Sequence, residues 1–195
     1  HTFEKLLRIR EKEPEKISLT VVTQYPEIYQ EVKEYSGVHA VFCEESRLGV
    51  SYTIKAGIRA VQEAYTPERK ECCFAEEEIS SETETEKKKS WDYLMFTVAD
   101  QPNLSEKSIE ALIRAAVMQD RSAKQSSFSL CCGEQVGNPC MFRADLIPEL
   151  MQLEGDKGGR SVLKKHECCY VEIENEEEFS DIDTEEQIKK NSTVS

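Results

Sequence analysis

Residues 93–102, Tyr-Leu-Met-Phe-Thr-Val-Ala-Asp-Gln-Pro, constrain the fold more than any other stretch, because an apolar, β-prone run stops on a carboxylate. An uninterrupted run of this kind predicts a strand buried on both faces, which calls for a parallel sheet covered by helices. Asp100 then stands just past the strand's carboxyl end, the edge at which open α/β sheets bind ligands. A carboxylate there suits Mg²⁺, which takes one or two protein carboxylates and fills its octahedron with water and phosphate oxygens. Asp and Pro also open turns, so Asp100 read alone leaves metal binding and a turn start equally open.

Around that strand the periodicity alternates. Phe3, Leu6, Leu7 and Ile9 recur at helical spacing over 2–11, and 17–23, Ile-Ser-Leu-Thr-Val-Val-Thr, reads as a strand. Pro26 opens a helix that Gly37 ends, and a strand follows at 38–43. Ile54, Ile58 and Val61 mark a helix over 50–64. Beyond residue 102 the pattern predicts a helix over 108–118 introduced by Ser105, and strands at 128–132 and 140–142 around a turn at Gly137-Asn138-Pro139. Helices at 144–153 and 158–166, a strand at 168–173 and a helix at 184–190 with a Thr184…Gln187 capping box complete the chain. This alternation predicts one α/β domain over 1–195, its sheet mostly parallel and its crossovers right-handed.

Residues 66–90 break the pattern with Glu76-Glu-Glu78 and Lys87-Lys-Lys89, blocks that bury no apolar area and predict a solvated, mobile insertion. A net charge of −13 opposes broad contact with nucleic acid or an anionic membrane, so an anionic ligand needs a local positive pocket. The eight cysteines include three adjacent pairs and no Cys-x-x-Cys, which points to reduced thiols in a cytoplasmic protein rather than a zinc site. No apolar run approaches the roughly 20 residues of a membrane span.

Four loop motifs carry candidate chemistry. In Arg47-Leu-Gly-Val-Ser-Tyr-Thr-Ile-Lys-Ala-Gly57, Gly49 and Gly57 permit close backbone approach, and Ser51 can cap a helix whose N-terminus favours phosphate. Gly57 equally allows a helix to pack closely on a sheet. Asn138, held extended by Pro139, can donate to and accept from a ligand, or simply belong to a turn. In Gly155-Asp156-Lys157-Gly158-Gly159-Arg160, Asp156 can cap the next helix or bind a ligand, and Lys157 and Arg160 supply positive charge. In Asp181-Ile182-Asp183-Thr184, Thr184 is explained by capping, while Asp183 is ambiguous between structure and metal.

In order, Gly-x-Ser-x-x-Ile-x-x-Gly-Ile, Ala-Asp-Gln-Pro, Gly-Asn-Pro, Gly-Asp-Lys-Gly-Gly-Arg and Asp-Ile-Asp-Thr resemble the molybdenum cofactor cytidylyltransferases, from about residue 2 to 190. The resemblance implies a Rossmann-like, three-layer α/β/α nucleotidyltransferase fold. It implies transfer of CMP from CTP to the phosphate of molybdopterin with release of pyrophosphate. Asp100 corresponds to the Mg²⁺ ligand, and Gly49, Ser51, Gly57 and Asp100 to the nucleotide side. Asn138, Asp156 and Gly158 correspond to the pterin side. Asp100, Lys157 and Arg160 are then the residues expected to promote transfer, with no covalent nucleophile. GTP or another phosphorylated acceptor is an alternative, as is a non-catalytic molybdopterin carrier serving an apo-hydroxylase. Members of this family begin with a strand and a loop of the kind Leu-Ala-Ala-Gly-x-Ser-x-Arg-Met-Gly, followed by Lys, which these residues do not contain. The resemblance therefore implies a sheet without its first, central strand, with an apolar gap and unpaired strand edges. It also implies either a native chain longer by about 20 to 30 residues, the strand-loop piece of a βαβ unit, or an inactive protein.

Overall fold

The computed structural model describes residues 2–65, 91–119 and 124–182. The acidic insertion at 66–90, the helix expected at 184–190 and Asp183 lie outside them.

Helix α1 (Thr2–Lys12) leads into β1 (Leu19–Thr23), α2 (Pro26–Lys33), β2 (Val38–Phe42) and α3 (Val50–Tyr65). Pro26 starts α2 because its fixed φ suits the first turn and its missing N–H is not needed there. The strand expected at 93–98 is β3 (Tyr93–Phe96), followed by α4 (Glu106–Met118), where Ser105 Oγ caps the Ser108 N–H as its sequence position foretold. Next come β4 (Ser127–Cys132), β5 (Gln135–Arg143), α5 (Ile147–Leu150), α6 (Arg160–Leu163) and β6 (Cys168–Glu172).

The strands form two sheets. β1 and β2 pair in parallel, and a four-stranded sheet has the order β3-β5-β4-β6, with β4 and β6 parallel and β5 antiparallel to both neighbours. Along β3 the side chains alternate: Tyr93 and Met95 join the core under α1 and α4, while Leu94 and Phe96 join the core under α3, α5 and α6. Helices thus cover both faces, as a strand apolar on both sides requires. Ile109, Leu112 and Ala116 of α4, each fully buried, close one side over Phe128 and Leu130; Ile58, Phe142, Leu150 and Val162 fill the other.

The expected apolar gap is present. Among the described residues β1 pairs only with β2 and β3 only with β5, and a cleft of about 1790 Å³ lies between them, lined by Leu19–Val22 on one side and 93–98 on the other. Both edges run the same way. Arg8 pairs with Glu106 and Lys12 with Glu110, so α1 runs parallel to α4, away from the carboxyl end of β3. β1, which returns from the far end of α1, therefore runs parallel to β3.

Three local expectations are corrected. Gly137-Asn138-Pro139 is not the turn: the reversal is Gly133-Glu134, where Gly133 has a φ of 57° and its N–H donates to Glu172 Oε1. Pro139 instead sits within β5, in a bulge where pairing jumps from Ser129↔Cys140 to Leu130↔Gly137, because it has no N–H to give the ladder. The helix expected at 144–153 is a 3₁₀ turn (Ala144–Leu146) and then α5, since a continuous helix would place Pro148 where its ring meets a carbonyl one turn back. The helix expected at 158–166 shrinks to α6, which ends in tighter bonds from Lys165 to Val162 and from His166 to Leu163.

Candidate functional site

Asp100 stands just beyond the carboxyl end of β3. The chain leaves β3 exposed at Asp100, and the Asp100 carbonyl accepts the Ile182 N–H at 2.9 Å. Gln101 then turns inward, its carbonyl accepting Thr2 Oγ1 at 2.8 Å and its Nε2 donating to Asp181 Oδ1 at 2.9 Å. These bonds bring the Asp181-Ile182 segment against Asp100, a pairing that the capping reading of that motif had missed. Two carboxylates, Asp100 and Asp181, therefore belong to one corner of the cleft.

On the strand beside β3, the β5 bulge presents Asn138, half-buried, to the same cleft through a cis Asn138–Pro139 peptide. Its position is fixed from both sides: Ser129 Oγ donates to the Gly137 carbonyl at 2.8 Å, and a Cβ on Gly137 would collide with the Phe179 ring. Arg160 at the start of α6 donates to the Val136 carbonyl and lines the same opening, as does Gly158. Of the two glycines before Arg160, Gly159 is the more tightly packed: a Cβ there would stand 3.0 Å from the Phe142 ring and 3.2 Å from Cys140 Sγ.

The Gly49 and Gly155 loops, distant in sequence, touch through their backbones. Gly49 has a φ of 133°, and a Cβ there would lie 2.4 Å from the Gly155 carbonyl carbon and oxygen. Ser51 is not a cap: it is the second residue of α3, its N–H donates to the Gly155 carbonyl at 3.1 Å, and its buried Oγ has no partner. Asp156 does not cap α6 either, since Gly159 occupies that position without a side-chain bond. Asp156 and Lys157 are exposed and stand off the cleft lining, while Gly57, midway along α3, faces Val22 of β1 at the distance expected for close helix–sheet packing. The structure thus gathers Asp100, Asn138, Gly158, Arg160 and Gly57 on one cleft, and leaves Gly49, Ser51, Asp156 and Lys157 off its lining.

Among the described residues, the Cys131 and Cys140 thiols are not poised as nucleophiles. Burial pushes Cys140 up to about 12 and, with Glu172 accepting its S–H, Cys131 up to about 11. Both stay protonated at neutral pH, and the six described cysteines are free. Iodoacetamide at pH 8 is expected to spare Cys131 and Cys140 in the native protein and to modify them after urea unfolding; mass mapping that finds either alkylated natively would contradict this burial.

Among the described residues no helix is long and apolar enough to cross a membrane. The sequence matches the MobA-like NTP transferase domain family over residues 9–169. No curated protein matches it. The fold is similar to that of Rv0371c from Mycobacterium tuberculosis H37Rv, with 14% identity, a TM-score of 0.62 and coverage of 98% of this chain and 82% of that one. The manganese complex of Rv0371C gives a TM-score of 0.61 at 14% identity, covering 98% and 85%. The bifunctional IspDF of Campylobacter jejuni gives 0.53 at 12% identity, covering 95% of this chain and 46% of that one.

Proposed function

Because the chain belongs to the MobA-like NTP transferase domain family, we propose that it is a nucleotidyltransferase moving CMP from CTP to the terminal phosphate of molybdopterin. A phosphate oxygen of the acceptor attacks the α-phosphorus of CTP, a new P–O bond forms, and the bond to the β-phosphate breaks to release pyrophosphate. The observation that supports this reading most is the cleft corner at the carboxyl end of β3, where Ile182 N–H bonds the Asp100 carbonyl and draws Asp181 alongside.

Among the described residues, two carboxylates without a third acidic, His or Cys neighbour make a sparse donor set. None of the described residues forms a cluster of three such ligands. That set fits Mg²⁺, which leaves most of its positions to water and phosphate, and Asp100 and Asp181 are the residues that would hold it. When bound, the cation supplies neutralisation of phosphate charge. Rv0371c has been crystallised with manganese, which supports a divalent cation on this fold. The protein's own groups do the rest: Arg160 offers its guanidinium to an anion at the opening, Asn138 presents an amide that both donates and accepts, and Gly158 lets a ligand approach the backbone. An acidic chain with free thiols fits the cytoplasm.

Pyrophosphate release measured with molybdopterin and either CTP or GTP tests the assignment. Release with CTP is expected; release with GTP alone would replace the cytidylyl assignment by a guanylyl one. Molybdopterin binding with no turnover on either nucleotide would favour a carrier.

A further inference from the structure

Gln101 stands next to Asp100 and is 4% exposed, although nothing about packing there needs an amide. Its main chain is tied to α1 through Thr2 Oγ1, while its side chain turns to the C-terminal segment. Nε2 donates to Asp181 Oδ1 at 2.9 Å and to the Phe179 carbonyl at 3.3 Å. A carboxylate and a carbonyl both only accept, so this end of the amide is the NH₂ group and its orientation is fixed. The opposite atom, Oε1, is buried without a partner. A methionine of similar volume would remove the unpaired Oε1 but would also take the donor from the Phe179 carbonyl and from Asp181, so what the amide contributes here is the hold of its NH₂ group on the C-terminal segment.

We infer that Gln101 is the positioning residue of the cation site: its amide holds one oxygen of the Asp181 carboxylate and thereby sets the other toward a divalent cation shared with Asp100. The inference rests on the proposed function. Asp181 is exposed, and an exposed carboxylate free to rotate must be ordered when a cation binds; one already held by a buried amide is ordered in advance. Gln101 is suited to this because its backbone is anchored to the β3 end and its side chain to the segment that carries Asp181. One residue thus joins the two sources of ligands.

Manganese titration followed by electron paramagnetic resonance, in the presence of CTP, reads this directly without any turnover. Gln101→Met is expected to weaken Mn²⁺ binding about tenfold, the scale of losing a group that orients a metal ligand. Gln101→Asn, which keeps an amide one methylene short of Asp181, gives the same loss in a chain still polar at that position. Because Gln101 acts through Asp181, the double variant Gln101→Met with Asp181→Asn binds no more weakly than Asp181→Asn alone. Losses that multiply in the double variant, or wild-type affinity in both Gln101 variants, overturn the inference. Wild-type binding left intact by Asp100→Asn overturns the cation site itself, and no Mn²⁺ binding by the wild type removes both.

Discussion

Replacing Asp100 by Asn is expected to slow nucleotidyl transfer at least about a hundredfold, the scale of removing one preorganised electrostatic partner. The melting temperature is expected to move by no more than about 2 °C, because surface substitutions usually change stability by under half a kcal/mol. Asp100 is exposed, and its backbone carbonyl accepts the Ile182 N–H whatever the side chain, so that bond survives the substitution. Asn keeps the shape and loses the negative charge, so the Asp181-Ile182 segment stays in place while the cleft corner loses half of its anionic donors. Steady-state rates at saturating CTP, set beside calorimetry of the same samples, separate these two effects. A variant that retains more than about a tenth of the rate, far above what loss of a metal-supported charge allows, would move the reacting centre elsewhere.

The second large effect is structural and lies off the cleft lining. Gly49→Ala is expected to destabilise the protein by about 3 kcal/mol, from forcing a side chain into a nearly glycine-only conformation and from overpacking. Its φ of 133° and ψ of 158° suit few other residues, and its Cβ would lie 2.4 Å from two main-chain atoms of Gly155. Main chain cannot rotate away as a side-chain tip can, so the Gly155 loop must shift, and with it the Gly158-Gly159-Arg160 run. At about 2–4 °C per kcal/mol for a chain of this size, the melting temperature falls by roughly 6–12 °C. Gly158→Ala is the contrast: its Cβ would meet Val50 at 3.6 Å, an ordinary contact, and its cost is expected to stay within about 1 kcal/mol. Equal melting temperatures for the two variants would deny Gly49 its special place.

The parts of this molecule legible in its sequence are those governed by local rules. Apolar spacing located α1, α3 and α4, Ser105 announced its own cap, and an unbroken apolar run identified β3 as a strand covered on both faces. Where a long-range partner decides, the sequence was silent. Only Leu130 and Ser129, opposite in space, reveal that Gly137-Asn138-Pro139 is a bulge inside a nine-residue strand rather than a turn. Asp181 was hidden for the same reason: a cap nearby explained its motif well enough, and nothing in the sequence says that Ile182 bonds residue 100. Gln101 gave one signal that could have been read, an amide directly after a strand-end carboxylate. The same limit explains why Gly49, Ser51 and Asp156 read as caps or ligand contacts although Gly49 and Gly155 serve each other.

The cleft between β1 and β3 also bears on how the molecule comes apart. No ladder of backbone bonds crosses it among the described residues; the two sheets are joined by α3 packing on β1, α1 on α4 and the contact of the Gly49 and Gly155 loops. β1, α2 and β2 form a run of consecutive residues whose pairing is local, whereas the other sheet joins segments from 93 to 172. Such an arrangement divides cooperativity: native-state hydrogen exchange would resolve residues 19–42 as a separate, earlier-opening unit, and the amides facing the cleft on both sides would exchange fastest within their own strands.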